Sequence, residues 1–152
     1  MQKVYFVTNE NEYKDISQSL AKNYESSAIF ALTGGLGSGK TTFTRHLGKA
    51  YGTKSTIKSP TFTLHREHEI ASKDGQKHYF NHIDLYRIEK KGEFDEIKIT
   101  PMVKRENIVV IEWADKFKSE IMSMKKYAPI IWIHFEYVDE NTRKLTIKED
   151  KQ

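Results

Sequence analysis

The stretch Gly34-Gly35-Leu36-Gly37-Ser38-Gly39-Lys40-Thr41 constrains this chain more than any other segment. It fits G-x-x-x-x-G-K-[ST], a glycine-rich turn that joins a buried strand to a helix and cradles phosphate groups. Glycine has no Cβ, so the turn can adopt positive φ and aim its N–H groups inward at phosphate oxygens. Lys40 supplies a point charge for the outer phosphates and Thr41 a hydroxyl for a magnesium ion. The flanks fit the pattern. Ile29-Phe30-Ala31-Leu32 is an apolar run rich in β-formers, as a buried parallel strand requires. Phe43, Leu47, Ala50 and Tyr51 then fall on one face of a helix, and Gly52 stands where a glycine would end it. A strand, loop and helix of this kind imply an α/β architecture with the ligand at the carboxyl ends of the strands.

Such a loop needs an acid on a neighbouring strand to hold magnesium, directly or through water. Glu112 follows the aliphatic run Ile108-Val109-Val110-Ile111 and has that placement. Asp84, in Asn81-His82-Ile83-Asp84-Leu85-Tyr86-Arg87, is the second candidate, suited to orienting water or assisting the metal. His82 alone reads as a packed or solvated histidine. Arg87 reads equally as a solvated residue or as one facing a carboxylate or a partner.

The rest of the chain reads as alternating elements. Val4–Val7 is an opening strand. Asn9 and Glu12 have the spacing of a capping box, ahead of a helix face of Tyr13, Ile16, Leu20 and Tyr24. Ser59–Leu64 opens a β-rich section. Ala71–Gln76 is a hairpin turn centred on Asp-Gly, and His78–Leu85 is the returning strand. Glu93–Ile97 is a short helical turn, and Pro101 can start another. Asp115 is expected to cap a helix carrying Phe117, Ile121 and Met124. Ile131, Ile133, Phe135 and Tyr137 alternate with Trp132, His134 and Glu136, giving a strand with one buried face. Arg143–Ile147 is the last strand, and 148–152 is expected to fray.

Composition bounds the function classes. The 152 residues are 38% hydrophobic and 30% charged, which suits a single globular domain over 1–152. With no cysteine, disulfides and thiolate metal sites are excluded, as suits a reducing cytoplasm. The first residues do not read as a signal peptide, and no apolar run is long enough for a membrane span, so no membrane partner is expected. The formal charge of +4 is compatible with an RNA-containing complex, but the lysines are dispersed and form no strong basic stripe.

Four blocks together resemble one family. Leu32-Thr33-Gly34-Gly35-Leu36-Gly37-Ser38-Gly39-Lys40-Thr41-Thr42-Phe43 is similar to its L-x-G-D-L-G-A-G-K-T-T-F loop, and Lys58-Ser59-Pro60-Thr61-Phe62-Thr63-Leu64 to its K-S-P-T-[FY]-T-L segment. His82-Ile83-Asp84-Leu85-Tyr86-Arg87 resembles H-F-D-L-Y-R, and Ile111-Glu112-Trp113 resembles [VI]-E-W. The family is TsaE, formerly YjeE, the ATPase of bacterial tRNA threonylcarbamoyladenosine (t6A) modification. The phosphate loop alone is generic, whereas the other blocks in this order are specific.

The resemblance implies a P-loop NTPase-like three-layer fold, with a mixed, mainly parallel central sheet flanked by helices. It implies a Mg²⁺-dependent ATPase, weak alone, that supports turnover of the TsaB–TsaD heterodimer and meets tRNA only through that complex. By motif, Gly35, Gly37, Ser38, Gly39, Lys40, Thr41 and Thr42 would bind ATP. Thr41 and Glu112 would hold Mg²⁺, and Lys40, Asp84 and Glu112 would serve hydrolysis. Trp113 would lie beside the nucleotide or the partner. The chain departs from the family at Gly35, usually Asp, at Ile83, usually aromatic, and at Tyr13, where many members carry Thr near the adenine. Two other readings compete: a small-molecule kinase of the P-loop class, and an RNA-binding module that uses nucleotide without useful catalysis. Against the kinase, the longest candidate lid, Ile88–Lys104, contains no arginine.

Overall fold

A computed structural model of the chain describes residues 2–58, 60, 63–71 and 74–150. Strand β1 (Gln2–Val7) leads into helix α1 (Glu10–Asn23), β2 (Ala28–Thr33) and helix α2 (Lys40–Tyr51). A hairpin of β3 (His65–Ile70) and β4 (His78–Asp84) follows, then two short helices, α3 (Lys91–Ile97) and α4 (Ile99–Lys104). Strand β5 (Ile108–Glu112), helix α5 (Lys118–Met122) between two 3-10 turns, β6 (Ile130–Asp139) and β7 (Thr142–Asp150) complete the order.

All seven strands join one sheet in the order β1-β7-β6-β2-β5-β4-β3. The centre is parallel: β2 pairs with β5 and β6, and β4 pairs with β5. Both margins are antiparallel, through β3 on one side and β7 and β1 on the other. The parallel strands are covered on both faces, which is why β2 and β5 are apolar runs rather than alternating ones. On one face α1 and α2 bury Ile16, Leu20, Phe43 and Leu47 against Phe30, Leu32, Val110 and Ile133. On the other, Phe94, Val103 and Ile121 pack with Ile29, Ala31, Val109 and Ile111.

Several expectations shift in detail. Asn9 does cap α1, but its side chain accepts from the Asn11 N–H, and Glu12 turns back to the Thr8 hydroxyl instead of closing a reciprocal box. Helix α4 begins at Ile99, so Pro101 falls inside its first turn, where its missing N–H has no helical partner to lose. Asp115 does not cap a helix. Trp113 turns the chain at φ 61°, a 3-10 turn starts at Ala114, and Asp115 falls within it. Phe117, Ile121 and Met124 are buried as expected. Tyr137 leaves the alternating pattern of β6 and is 62% exposed, where β6 runs past the helix-covered core. Lys148, Glu149 and Asp150 do not fray: they pair with Trp132, Ile131 and Ile130. Of Ser59–Leu64, Ser59, Thr61 and Phe62 lie outside the described residues, and β3 starts only at His65. Ser72 and Lys73 of the hairpin turn also lie outside them, while Gly75 takes φ 80° beside Asp74, whose carboxylate accepts from the Gln76 N–H.

Candidate nucleotide site

The loop from Gly34 to Gly39 leaves the carboxyl end of β2 and enters α2 directly. Its backbone depends on glycine at defined points. Gly34 has φ 139°, and a Cβ there would lie 2.6 Å from the Phe135 carbonyl oxygen. Gly39 has φ 108°, and a Cβ would meet the Tyr13 hydroxyl at 2.5 Å. Gly39 is also the N-cap of α2 and offers no side chain to cap it, so the first-turn N–H groups are left for another acceptor. The positive end of the helix dipole points the same way, and phosphate is the acceptor such a terminus suits. Gly37, at φ 70°, and buried Ser38 complete the curl. Gly35 differs: nothing lies within 4 Å of a Cβ built there, so an acid in its place would project into open space.

Lys40 is the first residue of α2 and only 5% exposed. Its ammonium donates to the carbonyls of Gly34 and Gly35 at 2.6 and 2.8 Å. It also sits 4.4 Å from the centre of the Trp113 ring. Burial lowers its pKa, and the carboxylates of Glu112, Asp84 and Asp115 act against that shift. Trp113 is thus a wall of the loop, and its ring lies tilted at 46° against Tyr86 with ring centres 5.1 Å apart. Thr42 follows in the first turn of α2 and is partly buried.

The acids assemble through sheet register. β4 and β5 place Asp84 opposite Glu112, and β2 places Leu32, just before the loop, opposite Glu112 on its other side. Thr41 then donates its hydroxyl to Glu112 Oε1 at 3.0 Å. The two predicted magnesium-binding residues are therefore in direct contact. Asp84 is half-buried and accepts the Tyr86 N–H at 2.9 Å. Burial raises its pKa, the Tyr86 bond opposes that, and Glu112 adds to the rise. Among the described residues no group of three or more His, Cys, Asp or Glu side chains could hold a metal. The donor set here, one hydroxyl and one carboxylate, instead fits magnesium, which keeps several waters and takes its remaining ligands from phosphate.

The sequence reading missed two residues. His82, fully buried, bonds Glu112 Oε2 through Nε2 at 2.5 Å. The signal was its position two residues before Asp84 on the same strand face, which has meaning only once β4 is known to lie beside β5. Arg143, on β7, directs its guanidinium to the Gly37 carbonyl at 3.5 Å and lies over the Tyr137 ring. Arg87 is exposed.

The family model "Threonylcarbamoyl adenosine biosynthesis protein TsaE" matches residues 7–145. The chain belongs to the TsaE family. It is 34% identical to the TsaE protein of Aquifex aeolicus over 149 residues, covering 97% of this chain and 96% of that one. It is 32% identical to the Rickettsia felis TsaE protein over 142 residues, covering 93% of this chain and 77% of that one. The relatives carry the name tRNA threonylcarbamoyladenosine biosynthesis protein TsaE. The crystal structure of Bacillus subtilis YdiB superposes with a TM-score of 0.63 at 21% identity, covering 97% of this chain and 84% of that one. That likeness bears on fold, and the P-loop NTPase-like class expected from the sequence is the class observed. For a TsaE chain, the direct contact of Thr41 with Glu112 joins two of the four sequence blocks at one point in space.

Proposed function

We propose that this TsaE chain binds ATP with Mg²⁺ and hydrolyses it, and that hydrolysis supports turnover of a TsaB–TsaD complex that modifies tRNA to t6A. The observation that carries the reading is the 3.0 Å contact of the Thr41 hydroxyl with the Glu112 carboxylate at the mouth of the loop. Lys40 and the α2 N-terminus would hold the phosphates. Thr41 and Glu112 would hold the ion, which when bound would neutralise charge building on the transferring phosphate. Asp84, beside Glu112, would orient the attacking water.

A cavity of about 760 Å³ does border the loop, lined by Gly34, Gly35, Trp113 and Trp132 among others, so the kinase reading is weighed on its missing arginine lid. The segment from Ile88 to Lys104 also cannot swing as a lid without loss, because Ile88, Phe94, Ile99 and Val103 are in the core. The test is ATPase activity with and without purified TsaB–TsaD from the same source. Slow hydrolysis alone and faster hydrolysis with the partner is the expected result. Rapid phosphoryl transfer to a small metabolite, indifferent to TsaB–TsaD, would overturn it. Tight binding of free tRNA at physiological salt in a filter assay would favour an RNA-binding module instead.

Two acid variants refine the reading. Glu112→Gln removes the negative charge that would meet Mg²⁺ and is expected to move half-saturation to higher MgCl₂. An unchanged magnesium titration would take Glu112 off the ligand set. Asp84→Asn is expected to slow hydrolysis while making the fold more stable at neutral pH. The sign follows from the raised pKa. The folded chain holds its proton to higher pH than the unfolded one, so stability falls as pH rises from the ordinary carboxylate range through the folded pKa. Asparagine cannot ionise, so that loss disappears. Urea melts of both proteins at acidic and neutral pH would check it: the stability gap should open on going to neutral pH.

A further inference from the structure

We infer that His82 is a positioning residue for magnesium: it clamps the Glu112 carboxylate so that one oxygen is presented to the ion beside Thr41. The inference rests on the ATPase reading and adds a part that the phosphate loop and the acids do not contain.

Glu112 is 3% exposed and His82 0%, so neither is held by bulk water. A buried carboxylate costs free energy unless its oxygens are paired. Here the two oxygens are divided. Oε1 receives the Thr41 hydroxyl at 3.0 Å, with Oε2 slightly farther from it at 3.3 Å, and Oε2 meets His82 Nε2 at 2.5 Å. An ionised carboxylate only accepts, so His82 Nε2 donates. One oxygen is thereby tied back into β4, and the other faces the first turn of α2.

The contact follows from register. His82 pairs with Val110 and Asp84 with Glu112, so His82 and Glu112 are diagonal neighbours on the face that α2 covers. Among the described residues His82 Nδ1 has no hydrogen-bond partner, and the contact with Glu112 is the polar interaction His82 makes. Hydrogen bonds to a metal-binding carboxylate from outside the coordination sphere commonly change metal affinity 10–100-fold.

The experiment measures the affinity of a slowly hydrolysed ATP analogue as MgCl₂ is varied, for wild type, His82→Leu and His82→Gln. Leucine fills much of the space without a donor, and glutamine restores an N–H of similar reach. His82→Leu is expected to raise the MgCl₂ needed for half-saturation roughly 10–100-fold, with affinity in EDTA unchanged. His82→Gln should recover most of the loss. In a Glu112→Gln background, His82→Leu should add nothing further, because its effect runs through that carboxylate. An unchanged magnesium titration in His82→Leu would overturn the inference, as would an equal loss of affinity in EDTA. If His82→Leu fails to fold, His82→Asn, whose side chain is too short to reach Glu112, takes its place with the same expected shift. A wild type that binds the analogue equally with MgCl₂ and with EDTA would overturn the magnesium reading itself. A normal wild type beside an indifferent His82→Leu would remove only His82.

Discussion

Lys40→Ala is expected to weaken ATP binding by roughly a hundredfold to ten-thousandfold, from the loss of about two charge-assisted hydrogen bonds at about 1.5–3 kcal/mol each. The fold should survive. Lys40 is buried at the head of α2, but among the described residues its ammonium hydrogen-bonds to loop atoms, the carbonyls of Gly34 and Gly35 and the Ser38 hydroxyl, and otherwise faces the Trp113 ring. No strand is anchored through it. Burial already opposes its charge, so removing that charge relieves a desolvation cost as well as ending those bonds. Equilibrium binding of a fluorescent ATP analogue, set beside circular dichroism of the same sample, separates the two effects. Wild-type affinity in the variant would remove Lys40 from phosphate binding. A lost helical signal would show that the lysine is structural.

The second large effect is on stability. Gly34→Ala should lower the unfolding free energy by about 2–6 kcal/mol, combining about 1–3 for an unfavourable backbone conformation with a similar overpacking cost. The new methyl would lie 2.6 Å from the Phe135 carbonyl oxygen and 3.1 Å from Phe135 Cβ. The backbone oxygen of a central strand cannot step aside as a flexible side chain could. For a chain of this size, a loss of 1 kcal/mol moves Tm by about 2–4 °C. Gly35→Ala is the matched control, one residue along in open space, and should stay within about 0.5 kcal/mol. Thermal melts of the pair decide the matter: equal Tm values for the two variants would mean that the Phe135 contact does not constrain the loop. The comparison also bears on the departure from the family at Gly35. The structure has room there for the usual acid, so Gly35 is not held by backbone geometry.

The fold was readable where side-chain pattern and burial coincide. The runs at Ile29–Leu32 and Ile108–Ile111 read as buried strands because parallel strands covered on both faces have no polar side to show. The phosphate loop was readable because glycine is chemically required at Gly34 and Gly39. Reading failed where the cause is backbone or lateral. The segment Lys148–Asp150 looks like a solvated tail by composition, but ladder hydrogen bonds to β6 do not depend on side-chain polarity. Asp115 looked like a cap because the left-handed turn at Trp113 gives no pattern in sequence. Glu112 is legible from its place after an aliphatic strand, and Asp84 mainly from the family resemblance and only weakly from spacing. His82 was passed over because its meaning depends on which strand lies beside β4, and nothing local to His82 encodes that neighbour.

The loop's support has a consequence for the order in which the protein is made. The loop is encoded in the first third of the chain, yet Gly34 lies against the backbone of Phe135, and Gly37 is met by Arg143. A nascent chain that has emerged only through β5 already holds Lys40, Thr41, Asp84 and Glu112, but lacks the strands on which the loop rests. The part of the site most visible near the start of the sequence is thus braced by residues about a hundred positions further along.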